Sequence, residues 1–259
     1  MSPAKVVVTG AGGGIGAALA RRFAADGAQV IVNDLNASAA EAVAAEIGGR
    51  AVPGDAADEA DVRRLVDLAW DELGGIDLFC ANAGVLTAGN QDAPDAAWER
   101  AWQVNVMSHV YATRALLPRW LDTEAGGRLL LTVSAAGLLT LLGSAPYSAT
   151  KHAALAYAEW LRATYAHRGL VVQALCPQGV RTDMLMTGGD SASKAQLAEG
   201  SLAPEEVAVV VAKALDGTDF LILPHPEVAG YYQLRATEPE RWLGGMNKIQ
   251  RSFDRSGLA

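Results

Sequence analysis

The chain has 259 residues, 51% of them apolar, and a formal net charge of −8 at pH 7. This size and apolar content suit a single α/β domain over residues 1–259, and the acidic balance argues against nucleic acid or an anionic membrane as partner, since both reward basic patches. The opening MSPAKVVVTG holds no signal-peptide core and no apolar run nears the roughly 20 residues that span a bilayer, so a cytoplasmic location without membrane contact is expected.

The predicted elements alternate along the chain. KVVVTG is a strand, IGAALARRFAADG a helix closed by glycine, and AQVIVND a second strand. A helix over ASAAEAVAAEIGG, a short strand over RAVPGD and a helix over DEADVRRLVDLAWDELGG follow. Next come the strand IDLFCANAG, one long helix over about 95–121, and the strand GRLLLTVSAAG. The stretch SAPYSATKHAALAYAEW opens a helix running to about His167, and LVVQALCPQG is again a strand. APEEVAVVVAKALDG is a helix with an early proline, and DFLILP is the last strand. Seven strands separated by helices imply a Rossmann-type, doubly wound parallel sheet with helices on both faces. Residues 183–203, rich in Gly and Ser, fall outside the alternation as a lid-like insertion, and 225–259 form a C-terminal extension.

Cys80 and Cys176 each end an apolar strand, two strand spacings apart in the expected order, so both read as small buried hydrophobes rather than a disulfide or metal pair. The four histidines (His109, His152, His167 and His225) are scattered, and no metal site is expected.

VVVTGAGGGIGAALA places a glycine-rich turn between the first strand and the first helix. Glycines let the backbone approach a pyrophosphate, and the helix N-terminus offers free N–H groups with partial positive charge. Two spacings fit: Gly10, Gly14 and Gly16, or Gly10, Gly13 and Gly16. The second strand ends at Asp34, where a carboxylate can accept hydrogen bonds from both ribose hydroxyls of adenosine and repel a 2′-phosphate. With no Arg or Lys in the turn to offset that repulsion, NAD is favoured over NADP. Capping of the next helix, from Asn36 or Ala37, is the other use open to Asp34.

With this turn, ANAG after the fourth strand, VS ending the fifth and YSATK opening a helix, the chain resembles the short-chain dehydrogenase/reductase family, oxidoreductase branch, over about residues 4–225. The resemblance implies that Thr9, Gly10, Gly14, Ile15 and Gly16 form the nucleotide turn and that Asn82, Ala83 and Gly84 steady the sheet beside the cofactor. It implies Asn105, Ser134, Tyr147 and Lys151 as the catalytic four, Tyr147 and Lys151 also meeting the cofactor, with Pro177, Val180 and Thr182 at the nicotinamide. Asp55 becomes a candidate for the adenine edge, with a helix cap as its alternative. One departure stands out: the family usually has Pro-Gly where this chain has Pro177-Gln178, and a side chain there either narrows the pocket or touches substrate.

Tyr147 and Lys151, four apart on a helix, share one face. A free phenol has a pKa near 10, and a neighbouring ammonium, helped by a positive nicotinamide ring, is expected to lower it toward a useful base. Ser134 is expected to hold the substrate oxygen, Tyr147 to move its proton, and Asn105 to position a water linking Lys151 to solvent.

The loop AAGLLTLLGSAP, lid residues Met184, Leu185 and Met186, and tail residues Tyr231, Tyr232 and Trp242 suggest an apolar, cyclic or aromatic, secondary alcohol or ketone as the small-molecule partner. A 3-hydroxyacyl thioester is the alternative substrate, and NAD(H) sensing without turnover the alternative function. By resemblance, the helices bearing Trp102 and Trp160 pair between subunits, so a homodimer or homotetramer is expected.

Overall fold

The computed structural model describes residues 4–122, 126–187, 191–198 and 200–257. Seven parallel strands form one sheet in the order β3-β2-β1-β4-β5-β6-β7. They are β1 (Lys5–Val8), β2 (Gln29–Val32), β3 (Arg50–Ala51), β4 (Leu78–Ala81), β5 (Gly127–Thr132), β6 (Leu170–Leu175) and β7 (Leu221–Ile222). All seven predicted strands are present, the third and last only two residues long. The order reverses between β1 and β4, where a doubly wound sheet opens a crevice at its C-terminal edge.

Period-two alternation sends successive side chains to opposite faces, and both faces are covered. Val6 and Val8 point into the layer shared with α1 (Gly14–Ala25), α2 (Ala37–Ile47) and α9 (Pro204–Ala214), with Leu19, Phe23 and Val211. Val7 points the other way, into a core built with α3 (Glu59–Leu73), α5 (Ser108–Leu121) and α6 (Ala145–Tyr165), where Leu65, Leu116, Trp120 and Leu161 meet Phe79 and Leu129. Glycines in left-handed conformation stop α2 at Gly48 and α3 at Gly74, as the sequence pattern predicts.

The predicted helix over 95–121 is broken into α4 (Asp95–Trp102), a π-helical turn (Gln103–Met107) and α5. That turn, a device frequent at functional sites, carries Asn105. The predicted lid holds two short helices, α7 (Asp183–Thr187) and α8 (Ser191–Ala198), while its residues 188–190 and 199 lie outside the described residues. The C-terminal extension folds into α10 (Glu227–Thr237) and α11 (Pro239–Ser256).

Cys80 on β4 and Cys176 after β6 are separated by β5, and both are free and buried. Burial pushes both thiols up, Cys176 to about 12, so neither is a thiolate at neutral pH. Among the described residues, none are grouped to hold a metal ion and no helix is long and apolar enough to cross a membrane.

Candidate active site

The glycine turn lies at the crevice. Gly10 and Gly14 take left-handed backbone, φ +62° and +51°, which a side chain resists. A Cβ on Gly16 would fall 2.2 Å from the Gly10 carbonyl oxygen, whereas one on Gly13 would meet nothing within 4 Å. The fold therefore requires glycine at 10, 14 and 16, and Gly13 instead leaves open space on the wall of a cavity of about 370 Å³. Gly13 is also the N-cap of α1, and no side chain caps the first-turn amides there. A helix N-terminus without a capping side chain, with open space at Gly13, fits a pyrophosphate.

Asp34, on the same wall, holds the turn. Its Oδ2 accepts from Gly12 N–H at 2.9 Å and its Oδ1 from Asn36 N–H at 2.9 Å. The helix cap is not Asp34 but Asn36, whose side chain accepts from Ala39 N–H. A carboxylate has about four lone-pair sites, so Asp34 retains capacity for ribose hydroxyls. Asp55 does not line this cavity. Its carboxylate accepts from Ala57 N–H at 2.8 Å and stands 3.7 Å from Arg100, and the cap of α3 is Asp58. Asn82 ties the strand ends together, Nδ2 donating to the Thr9 and Gly10 carbonyls and Oδ1 accepting from the Thr132 hydroxyl.

Ser134, Tyr147 and Lys151 line the same cavity, together with Pro177, Val180 and Thr182. Ser134 Oγ accepts from Ala136 N–H at 3.1 Å and is near enough to Tyr147 to favour its ionised form. Lys151 is 3% exposed; its Nζ lies 5.6 Å from the centre of the Tyr147 ring and donates to the Thr132 carbonyl at 3.0 Å. That carbonyl partner for the buried cation was not legible in the sequence. Asn105 is fully buried behind this group rather than on the wall. Its amide bonds both backbone groups of Val85 and the Thr150 hydroxyl. A Cβ on Gly84 would sit 3.3 Å from Asn105 Oδ1 and 3.5 Å from Lys151 Nζ, so a glycine keeps the space between them clear.

The electrostatics depart from the sequence expectation. Burial pushes the Tyr147 phenol up, opposed in second place by the Ser134 hydrogen bond, and burial pushes Lys151 down to about 8. The ammonium lies over the ring face and donates to Thr132, and neither its charge nor Ser134 outweighs the burial of the phenol.

The profile of the short chain dehydrogenase family matches residues 4–192. The chain belongs to this family and is an oxidoreductase. It is 39% identical over 229 residues to 1-deoxy-11-beta-hydroxypentalenate dehydrogenase of Streptomyces exfoliatus, covering 85% of this chain and 82% of the relative. It is 35% identical over 228 residues to meso-2,3-butanediol dehydrogenase of Serratia marcescens, covering 83% and 89%. The crystal structure of a short chain dehydrogenase/reductase from Burkholderia phymatum in complex with NAD superposes with a TM-score of 0.84 at 26% identity, over 92% of this chain and 95% of the other.

In this short chain dehydrogenase the cavity is also lined by the apolar side chains of Ala136, Leu139, Leu141, Met184, Leu185 and Leu197. Gln196 on α8, not singled out from the sequence, ties the lid to the loop: Nε2 donates to the Thr140 carbonyl and Oε1 accepts from Leu142 N–H. The tail aromatics do not reach the wall, contrary to expectation, and Met186 is 71% exposed. Tyr232 and Trp242 pack against the core, the Tyr231 ring lies 6.2 Å from that of Trp242 at a tilt of 39°, and Arg235 donates to the Leu138 carbonyl.

Behind Lys151, His109 is fully buried with neither ring nitrogen hydrogen-bonded. Burial first, then the Lys151 charge, hold its pKa down to about 3. An unfolded histidine takes up a proton near pH 6.5. The folded dehydrogenase therefore loses stability as pH falls from 6.5 toward 3, at roughly 1.4 kcal/mol per pH unit. Denaturant melts at several pH values are expected to show this slope in the wild type and a flatter acid limb in His109→Leu. An unchanged limb would show that His109 is not held neutral.

Proposed function

We propose that this dehydrogenase is NAD(H)-dependent and interconverts an apolar secondary alcohol, cyclic or aromatic, with its ketone, using Tyr147 as general acid/base. The observation that carries the reading is one cavity whose wall holds both the glycine turn with Asp34 and the group Ser134, Tyr147 and Lys151. NAD supplies the hydride acceptor when bound, and a positive ring beside Tyr147. Ser134 holds the substrate oxygen, and Tyr147 takes its proton in oxidation or returns one in reduction. Lys151, buried with its charge near the phenol, favours the phenolate once the opposing burial is offset. Leucine and methionine side chains keep bulk water from the reacting carbon.

Relatives named as dehydrogenases of a hydroxypentalenate and of a butanediol support an alcohol substrate. The neighbouring structure with NAD, together with the fixed carboxylate of Asp34, supports NAD. Trp102 at 46% and Trp160 at 54% exposure, on α4 and α6, support a homodimer or homotetramer, which a monomer by light scattering would contradict.

The test is NADH formation at alkaline pH over a panel of apolar secondary alcohols, with acyl thioesters as the competing arm. Tight NADH binding without turnover across the panel would overturn the catalytic reading. NAD is expected to bind at least about 10-fold more tightly than NADP, because a charge-assisted ribose contact is exchanged for repulsion. Asp34→Ser is expected to narrow that gap from the NAD side. Equal affinities in the wild type would reject the role given to Asp34.

A further inference from the structure

The segment from Pro177 to Gly179 is fixed residue by residue. The Pro177 carbonyl accepts from Ala135 N–H at 2.7 Å and from the Ser134 hydroxyl at 3.4 Å. Gln178 N–H donates to Nδ1 of His225 at 3.1 Å, and that imidazole is only 3% exposed. The Gly179 carbonyl accepts from Leu202 N–H at 3.0 Å, and a Cβ on Gly179 would fall 1.8 Å from the Leu197 carbonyl oxygen, so the backbone lies hard against α8.

On this clamped backbone Gln178 lies at the cavity wall, one residue from the carbonyl that meets Ser134. Its side-chain amide has no hydrogen-bond partner among the described residues, unlike the other amides on the wall. Asn82 is spent on Thr9, Gly10 and Thr132, and Gln196 on Thr140 and Leu142. The Thr140 hydroxyl is also unpaired, but it belongs to the loop that Gln196 ties to the lid, not to the segment touching Ser134. An unpaired amide costs little while it faces water. Once substrate displaces that water, a hydrocarbon leaves it unsatisfied and an oxygen does not. An amide both donates and accepts, so it can serve a hydroxyl or a carbonyl. Lys151 is the sole cation among the described lining residues and is committed to Thr132, while Asp34 and Asp183 are acidic, which favours a neutral oxygen over a carboxylate.

We propose that Gln178 is a specificity-determining residue whose side-chain amide binds a neutral second oxygen of the substrate, so that the preferred substrates are diols and hydroxyketones on an apolar skeleton. This rests on the alcohol–ketone reading of the site.

The experiment compares cis-1,2-cyclohexanediol with cyclohexanol in the wild type, Gln178→Leu and Gln178→Gly, the last removing the amide without adding bulk. The wild type is expected to favour the diol in kcat/KM by about 10-fold or more. Both variants are expected to lose about 10–100-fold on the diol while cyclohexanol changes by less than about 3-fold and KM for NAD stays put. In parallel, tryptophan fluorescence follows binding of 2-hydroxycyclohexanone and cyclohexanone to the NADH-loaded protein. The hydroxyketone is expected to bind more tightly only when Gln178 is present. Equal losses on both alcohols, an unchanged diol, or an effect confined to KM for NAD would overturn the proposal. Absence of turnover in the wild type would contradict the alcohol–ketone reading instead, and the fluorescence titration would then decide on Gln178 alone.

Discussion

Tyr147→Phe is expected to lower kcat by about 10²–10⁴-fold, the span that a positioned general acid/base contributes. The substitution removes one oxygen from a half-buried ring, so the fold stays intact and Ser134 keeps its bond from Ala136 N–H. NAD affinity is expected to change by no more than about 10-fold, because a neutral hydrogen bond is worth about 0.5–1.5 kcal/mol. Steady-state kinetics and NAD titration of the same preparation separate the two effects. A variant retaining most of the turnover would remove Tyr147 from the chemistry, whatever its neighbours.

Gly16→Ala is expected to damage both stability and cofactor binding. Its methyl would sit 2.2 Å from the Gly10 carbonyl oxygen and 2.6 Å from Asn82 Nδ2, and neither can retreat cheaply. That carbonyl accepts from Asn82, whose Oδ1 is held by Thr132. The turn must therefore move as a unit, at a cost of about 1–3 kcal/mol for overpacking. Because a displacement near 1 Å at a binding site can cost about 100-fold, NAD affinity is expected to fall by about 10–100-fold. Gly13→Ala provides the contrast. Its methyl meets no protein atom within 4 Å, so stability should change by less than about 0.5 kcal/mol while NAD affinity still falls. If both variants behaved alike in thermal melts, the packing account of the turn would be wrong.

The fold was legible because β-branched runs alternate with glycine-stopped helices, and each of the seven runs became a strand. The π turn around Asn105 was not, since one inserted residue rotates the apolar stripe by about 100°, no more than that stripe's ordinary width. The two glycine spacings could not be separated by composition; the left-handed backbone of Gly14 and the crowding at Gly16 separate them. Helical spacing placed Tyr147 and Lys151 together, but the direction of the phenol shift depends on burial and on where the ammonium points, and four-residue spacing carries neither. The partners of Asp55 and the packing of the tail aromatics were not legible for a related reason. Residue type names a capacity, while Arg100 and Ala57 beside Asp55, and the core beneath Tyr232 and Trp242, decide how it is used. Gln196 and the Thr132 carbonyl gave no sequence signal, because one is an ordinary amide on a short helix and the other is backbone.

The most direct measurement is the ionisation of Tyr147 itself, taken as the phenolate absorbance difference between wild type and Tyr147→Phe from neutral to alkaline pH. In the protein alone the phenol is expected to titrate above its ordinary value, because burial dominates. With NAD bound it is expected to move down, as Lys151 and the added positive charge together offset burial. A phenol that titrates at the same pH with and without NAD would contradict the account.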